Sequence, residues 1–324
     1  NVKAEQYNQK DLADLEKEKK NIATHTFKIK NNPPDNETVS SYFTEITLDS
    51  VLKVQAYIDT LENEKVRNLI FIALLTILES ISTHRKDGNG VKRKKNFKAD
   101  FGIDKVISLL ISQIDLFIFD IKNTHFKSKS LIQSQSSFEE YTLNQNADLV
   151  ITSPPYANCF DYSKVYLIEL WFGGFFKSKN DQKSFRESSI ISHVHYKWNC
   201  RHQDFGHKLV NEEIYNYLSE QNLWDRKIPQ MLVGYFNDIG KVLFELSKNL
   251  NKGATVGFVV GNSVYGGVPI ATDILLAEIG LKLGYKFIGI ESYRTLTTSS
   301  QQQKIIREQD KKFLRESLVI LKWN

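Results

Sequence analysis

Apolar and polar positions follow two regimes along the chain. Up to about residue 127 the apolar residues recur at helical spacing. Residues 1–21 are polar and charged, as on a solvent-exposed helix, and 28–41 is a Pro- and Asn-rich connector. Residues 48–81 are helical in pattern, with the part from Val66 onward nearly all apolar, as in a buried helix. Residues 104–121 predict another amphipathic helix, with Val106, Leu109, Leu110, Ile114 and Phe117 on one side. From residue 128 short β-branched runs alternate with helical ones. Residues 131–136 read as a short strand and polar turn, 148–151 as a buried parallel strand and 164–172 as a helix. A polar, aromatic-rich excursion over 175–225 precedes a helix at 232–250, and 255–260, 287–290 and 318–321 read as strands. Pro269 sits where a first-turn proline suits a helix, with Ile270, Ile274, Ala277 and Leu281 as its stripe and Gly284 at its close. The alternation predicts an α/β fold with a doubly wound sheet over 128–324, preceded by a mainly helical region, 1–127.

The strand at 148–151 runs into Ser153-Pro154-Pro155-Tyr156. Neither proline has an N–H, and each disfavours helical backbone in the residue before it, so the segment leaves the sheet extended and stiff with its carbonyls unused by any ladder. A rigid pair of acceptors beside an aromatic plate can grip a flat heterocycle bearing an exocyclic amine. Tyr156 would stack on the ring, while Ser153 and the Pro154 carbonyl accept the amine's hydrogens. A second Pro-Pro, at Pro33-Pro34, is followed by Asp35 and preceded by no buried strand, and reads as linker.

At these residues the chain resembles the DNA amino-methyltransferases, whose signature is Ser, Asp or Asn followed by Pro-Pro and an aromatic residue. The stretch 147–172, with Asp161-Tyr162, Lys164 and Glu169-Leu170-Trp171, is similar to the restriction-modification branch of that family. The resemblance covers about the last half of the chain. It implies a Rossmann-like class I methyltransferase core, of which this is the catalytic half, with a mainly helical N-terminal insertion carrying DNA contacts. It implies methyl transfer from S-adenosylmethionine to the amine of a flipped base in double-stranded DNA, Ser153 favouring cytosine N4 over adenine N6. Ser153, Pro154, Pro155 and Tyr156 are then the catalytic set, with Tyr162 and Lys164 as supporting groups. The family often has a Gly-Asp-Ala turn against the cofactor's adenine where this chain has Ser134 and Gln135. The acid is missing, and these two are the nearest cofactor contacts. No Phe-x-Gly-x-Gly loop precedes the catalytic one, so the cofactor motif is expected in an upstream segment or a partner chain, and this chain is expected to bind the cofactor poorly alone. The competing assignment is a permuted order, with residues 261–267 as cofactor loop and Glu291 gripping the ribose. The rival function is a DNA-recognition subunit lacking the cofactor loop. Methylation of RNA or of a protein amide is a third reading, disfavoured by the basic loop and by Ser153.

Charge supports a nucleic-acid partner. The net charge is +5, and Arg85, Lys86, Lys92, Arg93, Lys94, Lys95 and Lys98 face only Asp87 within 83–99. The glycines of this loop predict a flexible tip that lays cations along a phosphate backbone, and Lys164 and Arg294 are further candidates for DNA contact. His193, His195, Cys200, His202 and His207 crowd one stretch without metal-ligand spacing, so no metal is expected. The 324 residues, 41% hydrophobic, suffice for one large or two ordinary domains. Two cysteines point to a reducing cytoplasm, and the longest apolar run is too short for a bilayer. Met231 is the only methionine, so the chain is expected to begin inside a longer protein or after processing.

Overall fold

The computed structural model describes residues 7–88, 90–97, 100–124, 135–195, 201–297 and 306–324. The chain forms two units, Asn1–Ser134 with Tyr162–Ser184 and Gln135–Asp161 with Phe185–Asn324.

The first unit is helical because its sequence supplies caps as well as periodicity. Asn8 and Asp11 close a reciprocal capping box on α1 (Gln9–Thr24), and Asn36 caps α2 (Glu37–Ser40). Thr44 caps α3 (Glu45–Asp59), and Asn63 caps α4 (Glu64–Ile81). Each satisfies N–H groups that a first turn leaves unpaired. The continuous helical pattern over 48–81 is therefore two helices, with Asn63 opening the second. Helix α1 is not solvated all round, since Leu15 and Ile22 are fully buried. Residues His84–Asp87 (β1) and Gly90–Arg93 (β2) pair as an antiparallel hairpin. Helix α5 (Ile103–Asn123) buries Val106, Ile107, Leu110, Ile114, Phe117 and Ile118 in the core that α3 and α4 also build. Ile168, Trp171 and Phe172, from α7 (Leu167–Phe172) just after α6 (Tyr162–Val165), complete that core. Helix α8 (Lys179–Glu187) buries nothing.

The second unit is built on a mixed sheet. Its order is β3 (Ala147–Thr152), β4 (Leu250–Gly261), β8 (Arg315–Trp323), β7 (Tyr285–Thr295). Strands β3 and β4 are parallel, with Leu149 opposite Thr255 and Thr152 opposite Phe258, while β8 is antiparallel to both its neighbours. A parallel pair needs a long crossover. Here it includes α9 (Tyr215–Ser219) and α10 (Ile228–Ser247). One sheet face carries Val256, Phe258, Val260, Val319 and Leu321, packed with Leu232, Tyr235 and Phe236 of α10 and Leu276 and Ile279 of α11 (Thr272–Lys282). Strand β3 is parallel as expected but not buried on both sides. Val150 packs into this core, whereas Leu149 and Ile151, one pleat position away, are 59% and 72% exposed.

Residue 269 corrects the helix expected there. Pro269 lies in β6 (Val268–Ile270), which pairs with β5 (Ser263–Tyr265) as a hairpin, and α11 starts only at Thr272. Ile274 and Leu281 are exposed, and Leu275, Leu276 and Ile279 are buried instead. Ile274, Leu275, Leu276, Ala277, Ile279 and Leu281 put apolar side chains all round this helix, so its pattern alone does not select the face that meets the sheet.

Candidate active site

Two prolines carry the chain out of the sheet at the C-terminal end of β3, as their chemistry requires. Ser153 is exposed, Pro154 buried, and Pro155 and Tyr156 half-buried. Among the described residues no group donates a hydrogen bond to the Pro154 carbonyl. The loop then tightens, with the Asn158 N–H donating to the Tyr156 carbonyl at 2.8 Å and Cys159 taking a left-handed φ of 64°. Tyr265 supports it from beneath. Its hydroxyl donates to the Ala157 carbonyl at 2.9 Å and lies 3.2 Å from Cys159 Sγ. Burial pushes the Cys159 thiol up to about 11 and the Tyr265 phenol well above its usual range.

The Tyr156 ring lies over Gly261, where an added Cβ would fall 2.7 Å from Cδ2 of the ring. The Tyr156 hydroxyl donates to Glu316 Oε1 at 2.8 Å and sits 3.4 Å from Ser153 Oγ. Arg294 donates twice to the same carboxylate, from Nε to Oε2 at 2.7 Å and from an Nη to Oε1 at 3.0 Å. Strand register makes this possible, because Glu316 on β8 stands opposite Gly261 on β4 and opposite Arg294 on β7. The Arg294 guanidinium holds the Glu316 carboxyl below the usual carboxylate range, and the Tyr156 hydrogen bond acts in the same direction.

A buried carboxylate fixes the neighbouring strand ends. Asp273, fully buried, accepts from Asn262 Nδ2 at 3.0 Å, Arg315 Nε at 2.8 Å and Ser317 Oγ at 3.0 Å. The Ile274 N–H also donates to it at 2.9 Å, and four donors on one buried anion offset its desolvation. Gly266 and Gly267 take φ of 56° and 81° in the two-residue turn between β5 and β6. Positive φ at both central residues is the hairpin-turn geometry, not a loop between strand and helix. Residues 261–267 of the permuted assignment therefore run from β4 into a hairpin rather than directly into a helix, and Glu291 lies exposed on β7.

No family model matches the chain, and no solved structure matches it. Curated proteins do. The Type II methyltransferase M.AvaI of Nostoc sp. is 28% identical over 276 residues, covering 75% of this chain and 56% of the relative, and its counterpart from Anabaena variabilis matches equally. The Type II methyltransferase M.BsoBI of Geobacillus stearothermophilus is 28% identical over 287 residues, 73% of this chain and 56% of the relative. The chain is thus similar to Type II methyltransferases over about three quarters of its length. The resemblance drawn from Ser153 to Tyr156 is borne out. This chain matches little more than half the length of these relatives.

The other residues singled out from sequence differ in where they fall. Ser134 and Lys98 lie outside the described residues. Gln135 is exposed and donates to the Glu140 carbonyl at 3.1 Å, a local turn contact. Of the basic stretch, His84–Asp87 and Gly90–Arg93 pair as an antiparallel hairpin, and the expected tip at Asn89 lies outside the described residues. Arg85, Lys92, Arg93 and Lys95 are exposed, Arg85 opposite Lys92 and Lys92 3.3 Å from Asp87. Two of the cations have structural partners. Lys86 pairs with Glu169 at 2.5 Å and sits 4.4 Å from the centre of the Tyr166 ring. Lys94 Nζ donates to the carbonyls of Glu79, Ser80 and Ser82 at 2.7, 3.0 and 2.8 Å, capping the end of α4. Lys164 lies half-buried on α6. Arg294 holds Glu316. Sequence reasoning missed Glu316 altogether, because a single acid in a strand carries no motif. No group of three His, Cys, Asp or Glu among the described residues could hold a metal ion, and no helix of them is long and apolar enough to cross a membrane.

Proposed function

We propose that this chain is the catalytic and DNA-binding portion of a site-specific DNA amino-methyltransferase with a class I core, acting inside the cell and preferring cytosine N4 to adenine N6. The observation that carries this reading is the Ser153 to Tyr156 loop, stiff at two prolines, with the Pro154 carbonyl free of any donor among the described residues and the Tyr156 ring braced by Gly261 and Glu316. A base amine inside a duplex is out of reach, so the target base is flipped out and stacked on Tyr156. Ser153 Oγ and the Pro154 carbonyl accept from the amine, and as its nitrogen gains positive charge these fixed acceptors stabilise that charge without reorganising. S-adenosylmethionine supplies the methyl group.

Gln135 is engaged by its own turn, and Gly266 and Gly267 serve a hairpin. We assign the cofactor motif to a further segment or a partner chain, and the phosphate contacts to Arg85, Lys92, Arg93 and Lys95. The uncovered edge and apolar residues of β3, Leu149 and Ile151, fit a sheet that continues beyond it.

The test is transfer of tritium from labelled S-adenosylmethionine to unmethylated phage DNA by the protein at its full genomic length, followed by nucleoside analysis. Label in N4-methylcytosine, nearly abolished by Tyr156→Ala, is the expected result. Label in N6-methyladenine would correct the base, and equal transfer by wild type and the alanine variant would overturn the assignment.

A further inference from the structure

The Tyr156 hydroxyl points away from the stacking surface, into a three-residue chain that the proposed chemistry does not use. It donates to Glu316 Oε1 at 2.8 Å, and Arg294 grips both oxygens of that carboxylate. The three residues come from the loop after β3, from β8 and from β7, so the chain ties the loop to two neighbouring strands. We propose that Glu316 and Arg294 are positioning residues for methyl transfer, which set the plane of the Tyr156 ring and thereby the place of the flipped base.

The geometry favours this over two alternatives. As a proton acceptor Glu316 is poorly suited, because a carboxylate held by a two-pronged guanidinium gives up that pairing on protonation. As a purely structural ion pair it would need only Arg294, which stands directly across the strand ladder. The Tyr156 bond is additional and spans 160 residues of sequence. A Cβ at Gly261 would meet Tyr156 Cδ2 and Cε2 at 2.7 and 2.9 Å and Leu296 Cδ1 at 3.0 Å, so the ring is closely packed on that side. Rotation about the side-chain torsions is what the hydroxyl bond restrains. A misplacement of about 1 Å at a reacting group costs on the order of a hundredfold in rate, which gives such a restraint kinetic weight.

The inference rests on the base-holding role given to Tyr156, and a double-mutant cycle separates the two. In the full-length protein, Glu316→Ala is expected to lower kcat for methyl transfer by about tenfold or more while leaving the KM for S-adenosylmethionine unchanged. Glu316→Gln, which keeps a carbonyl for the tyrosine to donate to, is expected to restore part of the loss, and Arg294→Ala to fall between. In a Tyr156→Phe background, Glu316→Ala is expected to cause no further loss, since the hydroxyl it acts through is gone. Equal losses in both backgrounds, or no loss in either, would overturn the inference. Thermal unfolding of each variant identifies any that fail to fold, and the Gln variant then stands in for the alanine one in the cycle. If Tyr156→Ala is itself silent, the base-holding role fails first, and the cycle reports that separately.

Discussion

Gly261 and Tyr156 lie so close together that no side chain fits between them. A methyl group at 261 would meet the ring at 2.7 Å. The backbone of Gly261 lies in β4 and is not left-handed, so alanine is tolerated by the strand and the clash falls on the ring. Gly261→Ala is therefore expected to shift Tyr156, cost about 1–3 kcal/mol of stability as an overpacked site, and reduce methyl transfer well beyond what that loss explains. Thermal unfolding and tritium transfer measured on the same preparation check both parts.

The exposed cations of the hairpin and its C-terminal flank carry the electrostatic prediction. Replacing Arg85, Lys92, Arg93 and Lys95 with glutamine is expected to weaken binding to all duplex sequences alike. It should also flatten the salt dependence by about 0.9 in log–log slope for each phosphate no longer neutralised. Lys94→Ala should behave differently. It strips the cap from α4, so a lowered melting temperature without a matching change in salt slope is expected. Fluorescence anisotropy at several salt concentrations distinguishes the two classes.

Cys159 gives a pH prediction. Its thiol is raised to about 11 by burial, so in the folded protein it stays neutral where an unfolded chain ionises. A raised pKa means that this contribution to stability is complete below the ordinary thiol value of 9.0 and is lost as pH rises towards 11. At about pH 8 the Cys159 peptide should resist iodoacetamide in native protein and react promptly in denaturant, as followed by peptide mass spectrometry.

Isothermal titration of this chain with S-adenosylmethionine is expected to show no micromolar binding, with saturable binding appearing when a segment or partner chain carrying the cofactor motif is supplied. Micromolar affinity in the chain alone would overturn the assignment of the cofactor motif to such a segment or partner.

The loop from Ser153 to Tyr156 was legible because its signal is local. Two prolines after a β-branched run dictate an extended exit whatever surrounds them, and the structure places Ser153 to Tyr156 at the end of a parallel strand. The caps at Asn8, Thr44 and Asn63 are equally local, although Asn63 divides a pattern that periodicity alone runs together. What sequence could not supply was pairing. Arg294 reads as a surface cation until β7 is set beside β8, and Glu316 acquires its role only from that register. The same holds for Lys86 and Lys94, whose partners lie at Glu169 and at the end of α4. The glycines at 266 and 267 left two readings open for a different reason. Positive φ serves a hairpin turn as well as a ligand loop, and residue type does not say which.

Strand β3 has a consequence for handling the protein. It has one ladder neighbour among the described residues, its outer N–H and C=O groups are unpaired there, and Leu149 and Ile151 stand clear of the core on the same side. A parallel edge strand whose exposed positions are apolar is a template for sheet-to-sheet growth between molecules. Preparations of this chain alone are therefore expected to form soluble oligomers on concentration. Ile151→Lys should suppress them without disturbing Val150 or the core beneath it.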